Sequence, residues 1–360
     1  MIRIKFLQAG NGDCFLITFN DQRGRSRNIL LDGGTESCYY DRAKETYGQL
    51  KAEIDTIRSK RQKIDLLILT HIDNDHICGL LQWFEKDDKA SRLVSQVWFN
   101  SGKLIARYLK KKENKDLTVF LKKFTSTYTG VHEAIAFEKH LLKNKLWDWK
   151  RKPVMAGDTY EQYGAKLTVL SPGRAQLVKL IDEYSAKSDD PAYTGAGKKD
   201  WNFDLSHFIK EEAKAGFRFT QDNSSKNGSS IAFILTIKKR NFLFLADAHP
   251  RLIAGELEKL EYSKSKPMKV AFMKLSHHGS KKNTDKKLLE LVATNHYMVS
   301  TDSAQHNHPD KRTIARIISH NPSAVIHFNY EQVAAEIVSD TDWEEFPEFN
   351  IKLTKEFKYR

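Results

Sequence analysis

A layered α/β fold is predicted by three features of this sequence. Short apolar runs of strand character alternate with stretches of helical spacing. Several of those runs end in Asp or His, at Asp32, His71, Asp247 and His277. The chain has 360 residues, 40% of them apolar, enough to bury one large core or two smaller ones. A single domain over 1–360 is the expectation, with a basic helical insertion at 101–152 and a variable, polar loop insertion at 174–225.

The elements follow in order. Ile2, Ile4 and Phe6 alternate with Arg3 and Lys5, the period of a half-buried strand, and Gly10-Asn11-Gly12-Asp13 supplies a turn. Cys14 to Phe19 is a second strand. Beyond a polar hairpin, Asn28 to Leu31 is a third, closing in Asp32-Gly33-Gly34, where paired glycines let backbone come close to a neighbour. Asp32 either caps that turn or serves a site. Tyr40 to Arg61 reads as an exposed helix with Leu50, Ile54 and Ile57 on its buried stripe. Leu66 to Leu69 is a buried strand, a helix forms from Cys78-Gly79-Leu80, and Gln96 to Phe99 is a strand ending at Asn100-Ser101.

In the second half, Met155 to Pro172 forms short strands broken by glycines, and Ile231 to Ile237 pairs with Phe242 to Leu245 across a tight turn. Strands at Val270 to Leu275, Tyr297 to Ser300, Ala324 to Phe328 and Phe349 to Leu353 are separated by helices near Leu252 to Leu260, Asp285 to Ala293 and Arg312 to Ser319.

Chemistry concentrates between Leu66 and Leu80. An apolar strand runs directly into Thr70-His71-Ile72-Asp73-Asn74-Asp75-His76, with four potential metal ligands within six residues. Charged groups beside a core must be paired or bound to metal, so metal binding is the simplest reading. Later strands deliver Asp247, then His277 and His278, then His306 and His308, to their C-terminal ends.

The formal net charge of +13 favours a polyanionic partner. Between Ser101 and Lys152 fourteen Lys or Arg face five Asp or Glu, interleaved with Tyr108, Tyr128, Trp147 and Trp149. Lys110, Lys111, Lys112, Lys122 and Lys123 could neutralise phosphates there while aromatics stack on bases, and Lys281 and Lys282 could do the same beyond the histidine pair. A solvated helical face would have the same composition. Three cysteines without close spacing argue for a reducing compartment, and neither a signal-peptide core nor a membrane-length apolar run is present. A cytoplasmic protein is the expectation.

THIDNDH resembles the HxHxDH motif of the metallo-β-lactamase fold, in the HxDxDH form of the domains related to competence DNA-uptake proteins. GNGDCFLI, ILLDGG, NGSSIAFIL, LFLADA, LSHHGS and His308-Pro309 stand around it in that family's order. The resemblance implies an αββα four-layer sandwich carrying one or two divalent ions, zinc or manganese. It assigns His71 and Asp73 to a first ion and Asp75 and His76 to a second, with Asp247 bridging and His278 completing the second site. His277 becomes a proton donor or substrate contact, although either histidine of the pair could be the ligand. Asp75 would orient water, His308 would contact a phosphate or leaving group, and Asp32 would support the ligand loops from behind. The family's third histidine for the first ion is missing, and Asn100 stands at that strand end.

The function expected is metal-dependent hydrolysis, foremost of a phosphodiester in DNA or another nucleic acid, by metal-activated water. Two rivals remain. One is hydrolysis of a small phosphodiester or ester such as a cyclic nucleotide, phosphorylcholine ester or lactone. The other is a weakly catalytic binding subunit with protein partners in a defence or DNA-processing assembly. Oligomeric state is not legible.

Overall fold

In a computed structural model of the chain, residues 1–109, 130–146, 152–185 and 198–360 are described. They form two units, each with its own core and its own mixed sheet. One comprises Met1–Met155, Pro172–Gly195 and Glu356–Arg360, and the other Ala156–Ser171 and Ala196–Lys355. One mixed sheet with helices in each unit gives the α/β class that the alternation of patterns predicts.

The sheet of the first unit has six strands in the order Glu356–Tyr359, Ile2–Phe6, Phe15–Asn20, Ser26–Leu31, Leu66–Ile68, Val97–Trp98. Its first three pairings are antiparallel and the last two parallel. The parallel part presents the C-terminal ends of Ser26–Leu31 and Leu66–Ile68 side by side, which is why Asp32 and Thr70-His71 meet. The Asn74–Lys86 helix buries Ile77, Leu80, Trp83 and Phe84. Phe84 meets Phe137 of the Val131–Lys143 helix edge to face, with ring centroids 5.4 Å apart.

The second sheet has eight strands, Asn350–Leu353, Val325–Phe328, His296–Val299, Met273–Lys274, Arg240–Phe244, Ala232–Ile237, Ala165–Ser171 and Thr159–Gln162. The first four pairings are parallel and the rest antiparallel. Parallel strands end on one edge, so Ala246-Asp247, Ser276-His277-His278 and Ser300-Thr301 are delivered to the same side of this unit.

Several elements differ from the sequence reading. The helix expected from Tyr40 to Arg61 is confined to Gln49–Ser59. Its first part is instead a short hairpin, Tyr40–Asp41 with Thr46–Tyr47, held by edge-to-face contacts of Tyr47 with Tyr39 and Tyr40. The helix expected from Cys78 begins four residues earlier, at Asn74, so Asp75 and His76 stand in its first turn. Short helices at Glu331–Glu336 and Asp340–Glu345 and a closing strand at Glu356–Tyr359 have no counterpart in the expectation. That strand is edge-paired and half exposed, so its alternation is weak.

Within 101–152, Gly102–Tyr108 and Val131–Lys143 are helices. Lys110, Lys111, Lys112, Lys122 and Lys123, with Tyr128, Trp147 and Trp149, lie outside the described residues. Within 174–225, Arg174–Ser185 and Leu205–Glu212 are helices. No helix among the described residues is long and apolar enough to cross a membrane.

Candidate metal centre

In the first unit, the site is organised around a buried carboxylate. Asp32 follows its strand with φ of 56°, a left-handed conformation that strains a residue bearing a Cβ. Its Oδ1 accepts from the Thr70 amide at 2.7 Å and its Oδ2 from the Thr70 hydroxyl at 2.7 Å. Oδ2 also lies 2.9 Å from His76 Nδ1. The glycines after Asp32 explain how strand and helix approach so closely. Gly33 N donates to the His76 carbonyl at 2.8 Å and Gly79 N to the Gly34 carbonyl at 3.0 Å.

These bonds set the tautomers. An ionised carboxylate only accepts, so His76 Nδ1 carries the proton and Nε2 a lone pair. The Thr70 hydroxyl spends its proton on Asp32, so it accepts from His71 Nδ1, 3.1 Å away, and His71 Nε2 also carries a lone pair. The two rings lie with centroids 4.1 Å apart. His71 Nε2 then faces Asp73 Oδ2 at 3.6 Å, and His76 Nε2 faces Asp75 Oδ1 at 3.9 Å. A nitrogen lone pair and a carboxylate oxygen repel unless a cation lies between them, so this donor set fits a divalent ion.

The second unit repeats the device. His278 is buried, and its Nδ1 bonds the Ser300 carbonyl at 2.9 Å. A carbonyl accepts, so Nε2 again bears the lone pair, 3.6 Å from Asp247 Oδ2. Ala246, His277 and His278 all take positive φ, 46°, 48° and 52°, a conformation that strains residues bearing a Cβ.

His277 is held differently. Its Nδ1 lies 3.2 Å from Asn283 Oδ1 and 3.5 Å from Asp222 Oδ2, and its Nε2 is 3.8 Å from Asp247 Oδ2. Burial opposes charge on this ring, but Asp247 and Asp222 outweigh it and raise its pKa. Burial would likewise raise the Asp222 carboxyl, yet His277, Asn227 and the Ser224 amide hold it well below the usual carboxylate range. Asn227 Nδ2 donates to Asp222 Oδ2 at 2.7 Å.

His308 packs edge-on to His277, with centroids 4.8 Å apart, and its Nδ1 is 3.6 Å from Asp310 Oδ2. Burial lowers its pKa to about 4 despite Asp310, with the neighbouring His277 and His278 adding to the effect. His306 stands farther out, 6.4 Å from His308 between ring centroids. His249 Nε2 lies 3.9 Å from Asp222 Oδ2.

Asn100 faces elsewhere. Its Nδ2 donates to the Val154 carbonyl at 2.9 Å and its Oδ1 accepts from the Val154 amide at 2.9 Å, so both ends of the amide brace a neighbouring segment. Lys281 Nζ pairs with Asp310 Oδ1 at 3.0 Å, and Lys282 is exposed.

Several residues at the site carry no role in the sequence reading. Asp13 is 1% exposed, and one ligand-type atom from each of Asp13, Asp32 and His76 lies within 4.8 Å of the others. Asn11 Nδ2 donates to Asp75 Oδ2 at 2.8 Å. Both belong to the GNGD turn, so the segment was visible while the direction of its side chains was not. Asp222, Asn227 and Asn283 come from a polar loop, a short helix and the run after the histidine pair, without a shared sequence signal.

Residues 7–159 match the family model described as the metallo-β-lactamase superfamily. No curated protein matches the chain. Among solved structures, CmlA, a diiron β-hydroxylase from Streptomyces venezuelae, aligns over 100% of this chain and 54% of its own, at 11% identity and a TM-score of 0.41. A long-form RNase Z from yeast aligns over 84% of this chain and 37% of its own, at 10% identity and a TM-score of 0.36. A metallo-β-lactamase from Cronobacter sakazakii aligns over 70% of both chains, at 11% identity and a TM-score of 0.29. The chain spans about half the length of the CmlA structures it matches. The strand ends and helix start that carry Asp32, His71, Asp73, Asp75 and His76 all lie within residues 7–159, the part of the chain that matches the metallo-β-lactamase superfamily model.

Proposed function

We propose that the chain is a metal-dependent phosphodiesterase acting on nucleic acid. The observation that carries the reading is the fixed direction of three imidazoles. His71, His76 and His278 each have Nδ1 committed and Nε2 turned to a carboxylate. The ligand candidates are His71, Asp73, Asp75 and His76 of the first unit and Asp247 and His278 of the second, with the ion of His71 and Asp73 held more weakly because Asn100 stands where the family has a histidine. Zinc and manganese both suit such a mixed imidazole and carboxylate set.

A divalent ion held there would supply Lewis acidity towards a phosphoryl oxygen and a water acidic enough to attack near neutral pH. Asp75, its carboxylate fixed by Asn11, would orient such a water. His277, its Nδ1 held between Asp222 and Asn283, keeps a proton at Nε2 for the departing oxygen. His308 stays neutral beside it and contacts the leaving group. Net charge of +13 supports a nucleic acid as substrate over a small ester.

The test is hydrolysis of single- and double-stranded DNA and RNA, and of bis(p-nitrophenyl) phosphate, before and after chelation and after Mn²⁺ or Zn²⁺ add-back. Loss on chelation with recovery on add-back is expected for a polymer. Cleavage confined to the small ester would favour the small-substrate reading, and metal-indifferent behaviour would overturn both.

A further inference from the structure

A basic cavity of about 530 Å³ opens in the second unit beside the segment that follows the histidine pair. Lys214, Arg218, Lys281, Lys282, Arg312 and Arg316 line it, with Glu211 as its one lining carboxylate. Three of the cations are anchored. Arg312 pairs with Glu211, Arg316 holds Glu212 through Nε at 2.9 Å, and Lys281 holds Asp310 at 3.0 Å. Glu211, Glu212 and Asp310 thus offset half of the six, and an excess of three positive charges remains. Lys214, Arg218 and Lys282 supply it, all exposed and without an ion pair to a carboxylate among the described residues.

The walls are rigid where they need to be. Arg316 Nη1 donates to the Lys281 carbonyl at 3.1 Å, and its guanidinium lies 5.2 Å from the Phe219 ring centroid. Phe217, on the same loop, is 40% exposed. An apolar ring kept in water beside unpaired cations offers a base a stacking face next to phosphate-binding groups. The loop is also tied to the catalytic histidine. Asp222 lies two residues after the cavity-lining Thr220, donates from its amide to the Lys282 carbonyl at 3.1 Å, and holds His277 with its carboxylate.

We propose that this cavity is a subsite for a single nucleic-acid strand, taking the phosphates and one base that flank the scissile bond. Lys214, Arg218 and Lys282 bind the phosphodiester backbone, and Phe217 stacks the base. The position of the subsite relative to the bond cleaved rests on the phosphodiesterase reading above. Strand binding itself does not.

The experiment uses the full chain as purified and a fluorescein-labelled 15-nucleotide phosphorothioate strand that resists hydrolysis, followed by fluorescence anisotropy over a salt series. The triple variant K214A/R218A/K282A changes exposed side chains only, and circular dichroism and thermal melting confirm its fold. Affinity is expected to fall at least about 30-fold, and the slope of log K against log salt to shrink by about 2, since each phosphate contact on a single strand contributes about 0.7. Phe217→Ala is expected to weaken binding about 10-fold while leaving the salt slope as it was. Competition by adenosine monophosphate or inorganic phosphate needs at least about 100-fold higher concentration than competition by unlabelled strand, because only the strand spans several cations. Wild-type protein that does not bind the strand, or a folded triple variant with unchanged affinity and slope, overturns the subsite. Equal competition by the monophosphate shows a site for a free nucleotide and overturns it too. If the strand binds as expected but no phosphodiester is cleaved in any metal, the catalytic reading falls and the subsite stands.

Discussion

Asp32 Oδ2 lies 2.9 Å from His76 Nδ1, and the same carboxylate accepts both the amide and the hydroxyl of Thr70. One buried acid therefore sets the tautomer of His76 directly and that of His71 through Thr70. Replacing it with Ala leaves three buried donors without an acceptor, each costing about 1–3 kcal/mol. Asp32→Ala should lower metal affinity about 10–100-fold and reduce stability by several of those increments. Metal content by elemental analysis and a urea denaturation curve check this, and unchanged metal content would remove Asp32 from its supporting role.

Two glycines around Asp32 and the motif helix leave no room for a side chain. A Cβ on Gly12 would sit 1.6 Å from the Asp75 carbonyl oxygen, and one on Gly79 would sit 2.0 Å from the Gly33 carbonyl oxygen. Backbone is met in both cases, so neither neighbour can rotate away. Gly12→Ala and Gly79→Ala should each cost about 3 kcal/mol or more. Gly255, in the Pro250–Lys259 helix, meets nothing within 4 Å, and Gly255→Ala should stabilise by about 0.5–1 kcal/mol. Thermal melts of the three variants order them.

The adjacent histidines should separate by assay. His278 is anchored through a carbonyl, as metal ligands are, whereas His277 is anchored through Asn283 and Asp222. His278→Ala should lose bound metal. His277→Ala should keep it and lose about 10²–10⁴-fold in kcat. Asp222→Asn should lower kcat with little change in KM, and more for an alkyl leaving group than for p-nitrophenolate, which needs no proton. Equal losses with both leaving groups would count against proton donation by His277.

In the second unit, His327 Nε2 lies 3.0 Å from His296 Nδ1, and its Nδ1 lies 2.7 Å from the Thr354 hydroxyl. Burial lowers its pKa from 6.5 to about 4, and the neighbouring His296 and Lys352 add to the effect. Between those values the unfolded chain holds a proton that the folded chain does not. Stability should therefore be full above about pH 6.5, fall as pH drops through 4, and level off below. His327→Gln should flatten that interval by on the order of 1–2 kcal/mol between pH 7 and pH 4.5. Urea unfolding at a series of pH values is the measurement.

Much of the frame is legible in the sequence. Alternation identified Ile2–Phe6, period and turn residues identified the hairpin of Ala232–Ile237 with Arg240–Phe244, and apolar runs ending in acid or imidazole marked Asp32, His71 and Asp247. These signals are local, because the side-chain period of a strand and the chemistry at its end lie within a few residues. The hairpin at Tyr40–Asp41 and Thr46–Tyr47 was not legible, since its stability comes from aromatic contacts that outweigh helical composition.

The sequence by itself determined the α/β class, the inventory of ligand types and the order in which strands deliver them. Tertiary structure decided which nitrogen of each histidine is committed, that Asn100 braces Val154, and that Asp13 joins Asp32 and His76. It also decided that Asp222 stands behind His277, 55 positions later in the chain. The reason is physical. Residue type and strand period are written in neighbouring residues, whereas a hydrogen bond that fixes a tautomer depends on directions and distances set only when remote backbone segments are packed together.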